Sequence, residues 1–176
     1  MKRVLVVGSC GAGKSVFSRR LGTLTDLPVI HLDAEYWRPG WIEPTKTEWQ
    51  RHVASLVERD AWIIDGNYSG TMDLRLAACD TAIFLDLDRL TCTWRILKRR
   101  WEYRGRVRPD IAEGCKEKID WEFIQWTWNY PVRSRPGVLE RLRRAGDRVN
   151  VVQLTSNRQV NDYFTSISSN DRKGRI

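Results

Sequence analysis

Gly8-Ser9-Cys10-Gly11-Ala12-Gly13-Lys14-Ser15 reads as G-x-x-x-x-G-K-S, and it joins two segments of different periodicity. Before it, Arg3 to Val7 is a short apolar run of the kind that forms a strand. After it, Phe17, Leu21 and Leu24 recur at i, i+4 and i+7, the stripe of a helix. A strand that breaks at glycines into a helix N-terminus is what a phosphate-binding loop needs. Glycines let the backbone curve so that successive N–H groups point inward, and the helix end adds partial positive charge. The whole stretch, Gly8, Ser9, Cys10, Gly11, Ala12, Gly13, Lys14 and Ser15, is therefore read as an ATP-binding loop. Lys14 is expected to reach the β- and γ-phosphates, and the Ser15 hydroxyl to ligate Mg²⁺. Cys10 occupies a position that wants a small side chain rather than a nucleophile.

Working outward, strands and helices alternate, which indicates an α/β fold with a parallel sheet. Pro28 to Leu32 is a second strand, ending at Asp33. Thr45-x-x-Glu48 is a capping box, opening a helix with Trp49, Val53 and Leu56 inward. Ala61 to Ile64 leads to Asp65-Gly66, Asp80 to Leu85 leads to Asp86, and Val149 to Leu154 is a fifth strand. A helix capped by Asp88 carries Leu90, Trp94, Leu97 and Trp101 at i, i+4, i+7 and i+11, expected to face the core. Glu117 to Asn129 reads as a helix, Pro136 and Gly146 bracket another, and Ser156-x-x-Gln159 opens the last. The expected fold is a nucleoside-monophosphate-kinase-like P-loop NTPase with five parallel strands in the order 2-3-1-4-5. Residues 102–116, rich in Arg and Gly, are expected to form a lid, and 168–176 a mobile polar tail.

The chain has 176 residues, enough for one domain spanning 1–176 with no repeat or linker. Four separated cysteines give no zinc pattern and call for no oxidising compartment. No apolar run has the ~18 residues of a membrane span, and Val4 to Val7 is too short for a signal-peptide core. A cytoplasmic protein with no membrane partner is expected; the oligomeric state stays open. The net charge of +8 suggests a polyanionic partner: nucleic acid, an acidic membrane surface or nucleotide phosphates. Eight basic residues lie between Arg89 and Arg108.

Three aspartates end apolar strands. In the 2-3-1-4-5 order the third strand lies beside the first, so Asp65 is the candidate to reach Mg²⁺. Asp33 ends the second strand on the acceptor side, where it either takes a proton from a substrate hydroxyl or serves only as a turn residue. Asp86 either holds a loop or has a functional role. Arg95 and Arg99, at i and i+4, share one helix face. With Arg106 in the lid, and Arg133 and Arg135 from the far side, they can surround a transferring phosphoryl group or form a solvated basic surface. Trp37 and Trp41 can stack on a planar substrate or cover the core edge. His31 reads as a core histidine, and His52 receives no role.

Beyond the loop, His31-Leu-Asp33, Tyr36-Trp37-x-Pro39-Gly40-Trp41 and Trp62-Ile-Ile-Asp65-Gly-Asn67-Tyr68-x-Gly70-Thr71 resemble the bacterial DNA topology modulation proteins. So do Leu97-Lys-Arg-Arg100, Tyr103-Arg-Gly105, Arg108-Pro-Asp110 and Glu113-Gly-Cys115. The resemblance extends to about residue 155. That family is in turn similar to adenylate and shikimate-type kinases. Ile64-Asp65-Gly66 resembles the Leu-Asp-Gly of adenylate kinases, with Asn67-Tyr68 in place of Phe-Pro and Arg75 as the next arginine. Arg95 and Arg99 fall where adenylate kinases place adenine-stacking and phosphate-binding arginines. The resemblance implies ATP binding and kinase chemistry toward a small acceptor, such as a nucleotide, nucleoside or hydroxylated metabolite, held near Asp33, Trp37, Asn67 and Arg75. The alternative is a nucleic-acid-binding regulator switched by ATP.

Overall fold

A computed structural model describes residues 1–103, 111–112, 114–115 and 120–173. Five parallel strands, β1 (Arg3–Gly8), β2 (Val29–His31), β3 (Trp62–Asp65), β4 (Thr81–Leu85) and β5 (Asn150–Leu154), form one sheet in the order β2-β3-β1-β4-β5. The helices are α1 (Lys14–Thr25), α2 (Leu32–Tyr36), α3 (Lys46–Val57), α4 (Met72–Ala78), α5 (Arg89–Glu102), α6 (Trp121–Arg133), α7 (Arg135–Ala145) and α8 (Asn157–Lys173).

The inner strands read as unbroken apolar runs because helices cover both faces of the sheet. Side chains alternate between two cores accordingly. Leu5, Val7, Trp62 and Ile64 pack with Val53, Leu56, Leu76 and Leu142 from α3, α4 and α7. Val4, Val6 and Ile63 pack on the other side with Phe17 and Leu21 of α1 and Phe164 of α8. The predicted capping box at α3 is present, with Thr45 accepting from the Glu48 amide and Glu48 reaching back to the Thr45 amide.

Two expectations need correction. Trp94, Leu97 and Trp101 do not face the core: Trp94 is 67% and Trp101 87% exposed. α5 buries Cys92 and Ile96 instead, with half-buried Arg95 and Arg99 on the same side. That face meets the phosphate loop, where cations are wanted, so the aromatic stripe points the opposite way. The expected polar tail from 168 is helical as far as Lys173, as the end of α8. The short helices α2 and α4 were not legible, being too brief for a helical period to show. Most of the expected lid, including Arg106, lies outside the described residues.

The fold brings the carboxyl ends of β2, β3 and β1 side by side, the place where open α/β sheets bind ligands. At that edge the glycines also serve packing. Gly11, at φ +77°, faces the backbone carbonyl of Cys92, so a Cβ there would collide with α5. Gly11→Ala should destabilise the protein by about 2 kcal/mol or more, combining a left-handed backbone with that collision. Urea denaturation measures it, and a midpoint equal to wild type would show that α5 does not seat on the loop.

Candidate functional site

The phosphate loop runs from the end of β1 into α1. The α1 N-cap is Gly13 at φ 93°, no side chain caps the helix, and its first turn carries no acidic residue. The first amides of a helix lack intrahelical partners, so this end is left for an anion. Lys14 Nζ donates to the carbonyls of Gly8 and Ser9, each at 3.1 Å. Arg95 reaches across from α5, donating to the Ala12 carbonyl at 3.3 Å and to Asn157 Oδ1 at 2.7 Å. Two cations thus stand on a glycine-lined curve, and Ser15 is half-buried at its far end. A glycine cradle, an uncapped helix end and a lysine resting on neutral carbonyls fit a nucleotide polyphosphate. The donors that could reach its Mg²⁺ are the Ser15 hydroxyl and the Asp65 carboxylate; Mg²⁺ commonly binds through one or two side chains plus phosphate oxygens. Among the described residues there is no cluster of three or more His, Cys, Asp or Glu that could hold a metal by itself.

Asp65 ends β3 and is almost wholly buried. His31, ending the neighbouring strand β2, meets Asp65 Oδ2 through Nδ1 at 2.6 Å. His31 is therefore a partner of the candidate metal carboxylate rather than a core histidine. The parallel register that pairs His31 with Asp65 explains it, and no spacing within one strand could show it.

Arg75 is the main departure from expectation. Sequence reading placed it against the substrate, yet it is 0% exposed. It shares the buried face of α4 with Met72 and Leu76. Its Nε donates to the Thr71 carbonyl at 3.3 Å and Nη1 to the Gly66 carbonyl at 2.7 Å, while Nη2 serves the carbonyls of Asn67 and Tyr68. Burial holds its pKa down to about 10, still charged at neutral pH. Arg75 thus shapes the turn after β3 instead of meeting a ligand. That turn has two outputs. Asn67 Oδ1 accepts from the Gly8 amide at 3.1 Å, fixing the start of the phosphate loop. The Tyr68 hydroxyl donates to Asp33 Oδ1 at 2.8 Å. Burial, then the Asp33 charge, pushes the Tyr68 pKa far up, so it stays a donor.

On the acceptor side, β2 ends at His31, so Asp33 lies in the first turn of α2 rather than at a strand end, and Trp37 is the extended residue that closes that helix. Trp37 meets Trp41 edge to face at 5.1 Å, and Tyr36 packs on Tyr68 at 4.7 Å. The segment beyond α5 touches this loop: the buried Cys115 thiol donates to the Arg38 carbonyl at 3.3 Å, and Gly114 lies over Pro39. His52, given no role, pairs with Glu35 at 2.7 Å on the surface.

The remaining arginines divide. Arg99 lies half-buried on the loop-facing side of α5, one turn after Arg95, and Arg133 is exposed. Arg135, expected to close on the substrate, instead grips Asp86 with Nε and Nη2, each at 2.8 Å. Gln153 adds a third donor to the same carboxylate. Asp86 therefore holds the start of α7 to the ends of β4 and β5, the structural role of its two readings.

Among solved structures the chain is similar to a gluconokinase from Sinorhizobium meliloti 1021, with 15% identity, a TM-score of 0.52, and 99% of this chain and 98% of that one covered. It is also similar to a candidate kinase from Chloroflexus aurantiacus J-10-fl, with 14% identity, a TM-score of 0.50, and 96% and 98% covered. No protein-family model and no curated protein matches the chain. At these identities the likeness shows the fold, a P-loop kinase-like fold, over the full chain. It does not bear on the resemblance to DNA topology modulation proteins.

Arg75→Met should remove the donors of four carbonyls while keeping much of the volume. Each buried carbonyl left unpaired costs about 1–3 kcal/mol, so a loss of roughly 3 kcal/mol or more is expected from chemical denaturation. A loss under about 1 kcal/mol would mean that the turn after β3 holds itself.

Proposed function

We propose that the chain is a kinase that moves the γ-phosphoryl group of MgATP to a hydroxyl of a small acceptor seated at Asp33. The observation that carries this reading is the turn after β3, which holds a phosphate loop at one end and a carboxylate at the other. Gly8 to Ser15 bind the phosphates through backbone amides, with Lys14 leaving its carbonyl partners for the stronger charge of a phosphate oxygen. Arg95 lies on the nucleotide side, beside Asn157. Mg²⁺ held by Ser15 and Asp65 would neutralise charge on the β- and γ-phosphate oxygens. His31 keeps the Asp65 carboxylate oriented.

Asp33 is the proton acceptor: Tyr68 occupies Oδ1, leaving Oδ2 to take the proton of the acceptor hydroxyl. As that oxygen bonds to the γ-phosphorus, the bond to the bridging oxygen breaks and ADP leaves. Arg99 stabilises the charge on the transferring group, and Arg106 joins it in this reading from the sequence alone. Trp37 and Asn67 belong to the substrate-binding side, with exposed Arg133 at its margin. The kinase-like fold and the gluconokinase likeness support the reaction type and leave the acceptor open.

One observation favours a second reading, a nucleic-acid binder switched by ATP. Trp94, Trp101, Trp121 and Trp128 are exposed on α5 and α6 near Arg89, Lys98 and Arg100, a composition that suits stacking on bases. One experiment separates the two. Lys14→Ala should lower MgATP-dependent ADP production by on the order of 10²-fold while leaving the denaturation midpoint unchanged. Unchanged ADP production would remove the kinase reading. Tight, salt-sensitive DNA binding that survives Lys14→Ala and saturating MgATP would favour the regulator.

A further inference from the structure

We infer that Asn157 is a positioning residue of the nucleotide site: it holds the Arg95 guanidinium against the outside of the phosphate loop, where a bound nucleotide presents its nucleoside half. This goes beyond the kinase reading above and rests on its nucleotide-binding part. Nothing in the spacing of the sequence singles out Asn157, because its partner lies 62 residues away.

The contact is specific. Arg95 Nη2 donates to Asn157 Oδ1 at 2.7 Å, and Nη1 donates to the Ala12 carbonyl at 3.3 Å. The two acceptors belong to different elements, the first turn of α8 and the phosphate loop. A guanidinium is a rigid plane, so acceptors on two of its nitrogens fix its orientation as well as its place. With the Asn157 amide removed, the longer of the two bonds remains, and the plane can swing about it.

Asn157 is available for this because α8 is capped without it. Ser156 Oγ accepts from the Gln159 amide at 3.2 Å, and Gln159 Oε1 accepts from the Thr155 amide at 2.7 Å, which closes a reciprocal cap. An asparagine at the start of a helix commonly turns its side chain to the helix's own amides. Here it turns to α5.

Where Arg95 stands decides which part of a nucleotide it serves. Lys14 rests on the carbonyls of Gly8 and Ser9, in the first half of the loop, and is the group suited to the β- and γ-phosphates. Arg95 stands at the other end, with Nη1 3.6 Å from the place a Cβ on Gly13 would take. The Ala12 carbonyl and the Gly13 amide share one trans peptide plane and point opposite ways. An amide turned inward to phosphate therefore turns that carbonyl, and Arg95 with it, outward. A planar cation outside the loop, at the end away from the Lys14 ammonium, is placed for what the phosphates carry, a ribose and a base that can stack on it.

The test compares ligands that do and do not carry a nucleoside. Titration calorimetry without any acceptor measures Kd for MgADP, a non-hydrolysable MgATP analogue and magnesium tripolyphosphate. The proteins are wild type, Asn157→Ala, Arg95→Ala and the double variant. Asn157→Ala should raise Kd for both nucleotides about 10-fold, and Kd for tripolyphosphate by less than about 2-fold. The double variant should bind nucleotide no more weakly than Arg95→Ala alone, because the amide acts through the guanidinium. The denaturation midpoint without ligand should stay at the wild-type value, since Asn157 is exposed. In ADP-release assays Asn157→Ala should raise the KM for MgATP by more than it lowers kcat.

An unchanged nucleotide Kd in Asn157→Ala, additive losses in the double variant, or equal weakening of tripolyphosphate would each overturn the inference and leave the kinase reading in place. A chain that shows the expected losses in nucleotide binding but releases no ADP with any acceptor would keep the inference and overturn the kinase reading. A wild-type chain that binds no nucleotide would overturn both.

Discussion

A buried guanidinium whose hydrogen-bond partners, among the described residues, are backbone carbonyls sits under the candidate site. Burying a charge is costly unless it is hydrogen-bonded, and Arg75 offsets that cost with four carbonyl bonds, to three consecutive turn residues and Thr71. A turn made of Gly66, Asn67 and Tyr68 has little to fix it otherwise: Gly66 lies at φ +128° and Tyr68 in a left-handed conformation at φ 31°. Arg75 converges their carbonyls on one point. The placing of Gly8 and of Asp33 then follows from where the two side chains of that turn project.

Asn67 and Tyr68 project to opposite ends of the site. Asn67 takes the Gly8 amide at the entrance of the phosphate loop, and Tyr68 takes one oxygen of Asp33. Phosphoryl transfer asks little covalent chemistry of a protein and much positioning. In the proposed reaction, a single braced turn that sets both the phosphate loop and the Asp33 carboxylate would supply that positioning. The same logic explains α5. Its backbone seats against Gly11, its loop-facing side carries Arg95 and Arg99, and its tryptophans are left outside.

How much of this was legible depended on whether the information was local. The phosphate loop, the capping box at Thr45 and the five strands follow from short-range signals: glycine spacing, cap chemistry and apolar runs; the strand order was expected from the resemblance to P-loop kinases. The pairings His31–Asp65, Tyr68–Asp33 and Arg135–Asp86 join residues far apart in sequence, so only the sheet register could bring them together. Arg75 was misplaced because an arginine after a β3 turn reads as a ligand for an anion. Its partners are carbonyls, which carry no side-chain signature. The stripe of Leu90, Trp94, Leu97 and Trp101 failed for a related reason. Hydrophobic periodicity finds the apolar face of a helix, and here the opposite face is the one that meets the protein, because the phosphate loop lies there.

The claim that Arg75 governs the phosphate loop through Asn67 can be measured by amide hydrogen exchange in wild type and Arg75→Met. Loss of any mutant's global stability accelerates all core amides together, whereas a local release does not. Gly8 is the informative position, since its amide is held by Asn67, while Leu5 and Val6 on the same strand sit within the sheet. Losing one such bond, worth about 1 kcal/mol, should speed Gly8 exchange roughly 5-fold beyond the change at Leu5 and Val6. Equal acceleration at all three positions would contradict the account, because the turn after β3 would then have no specific hold on the phosphate loop.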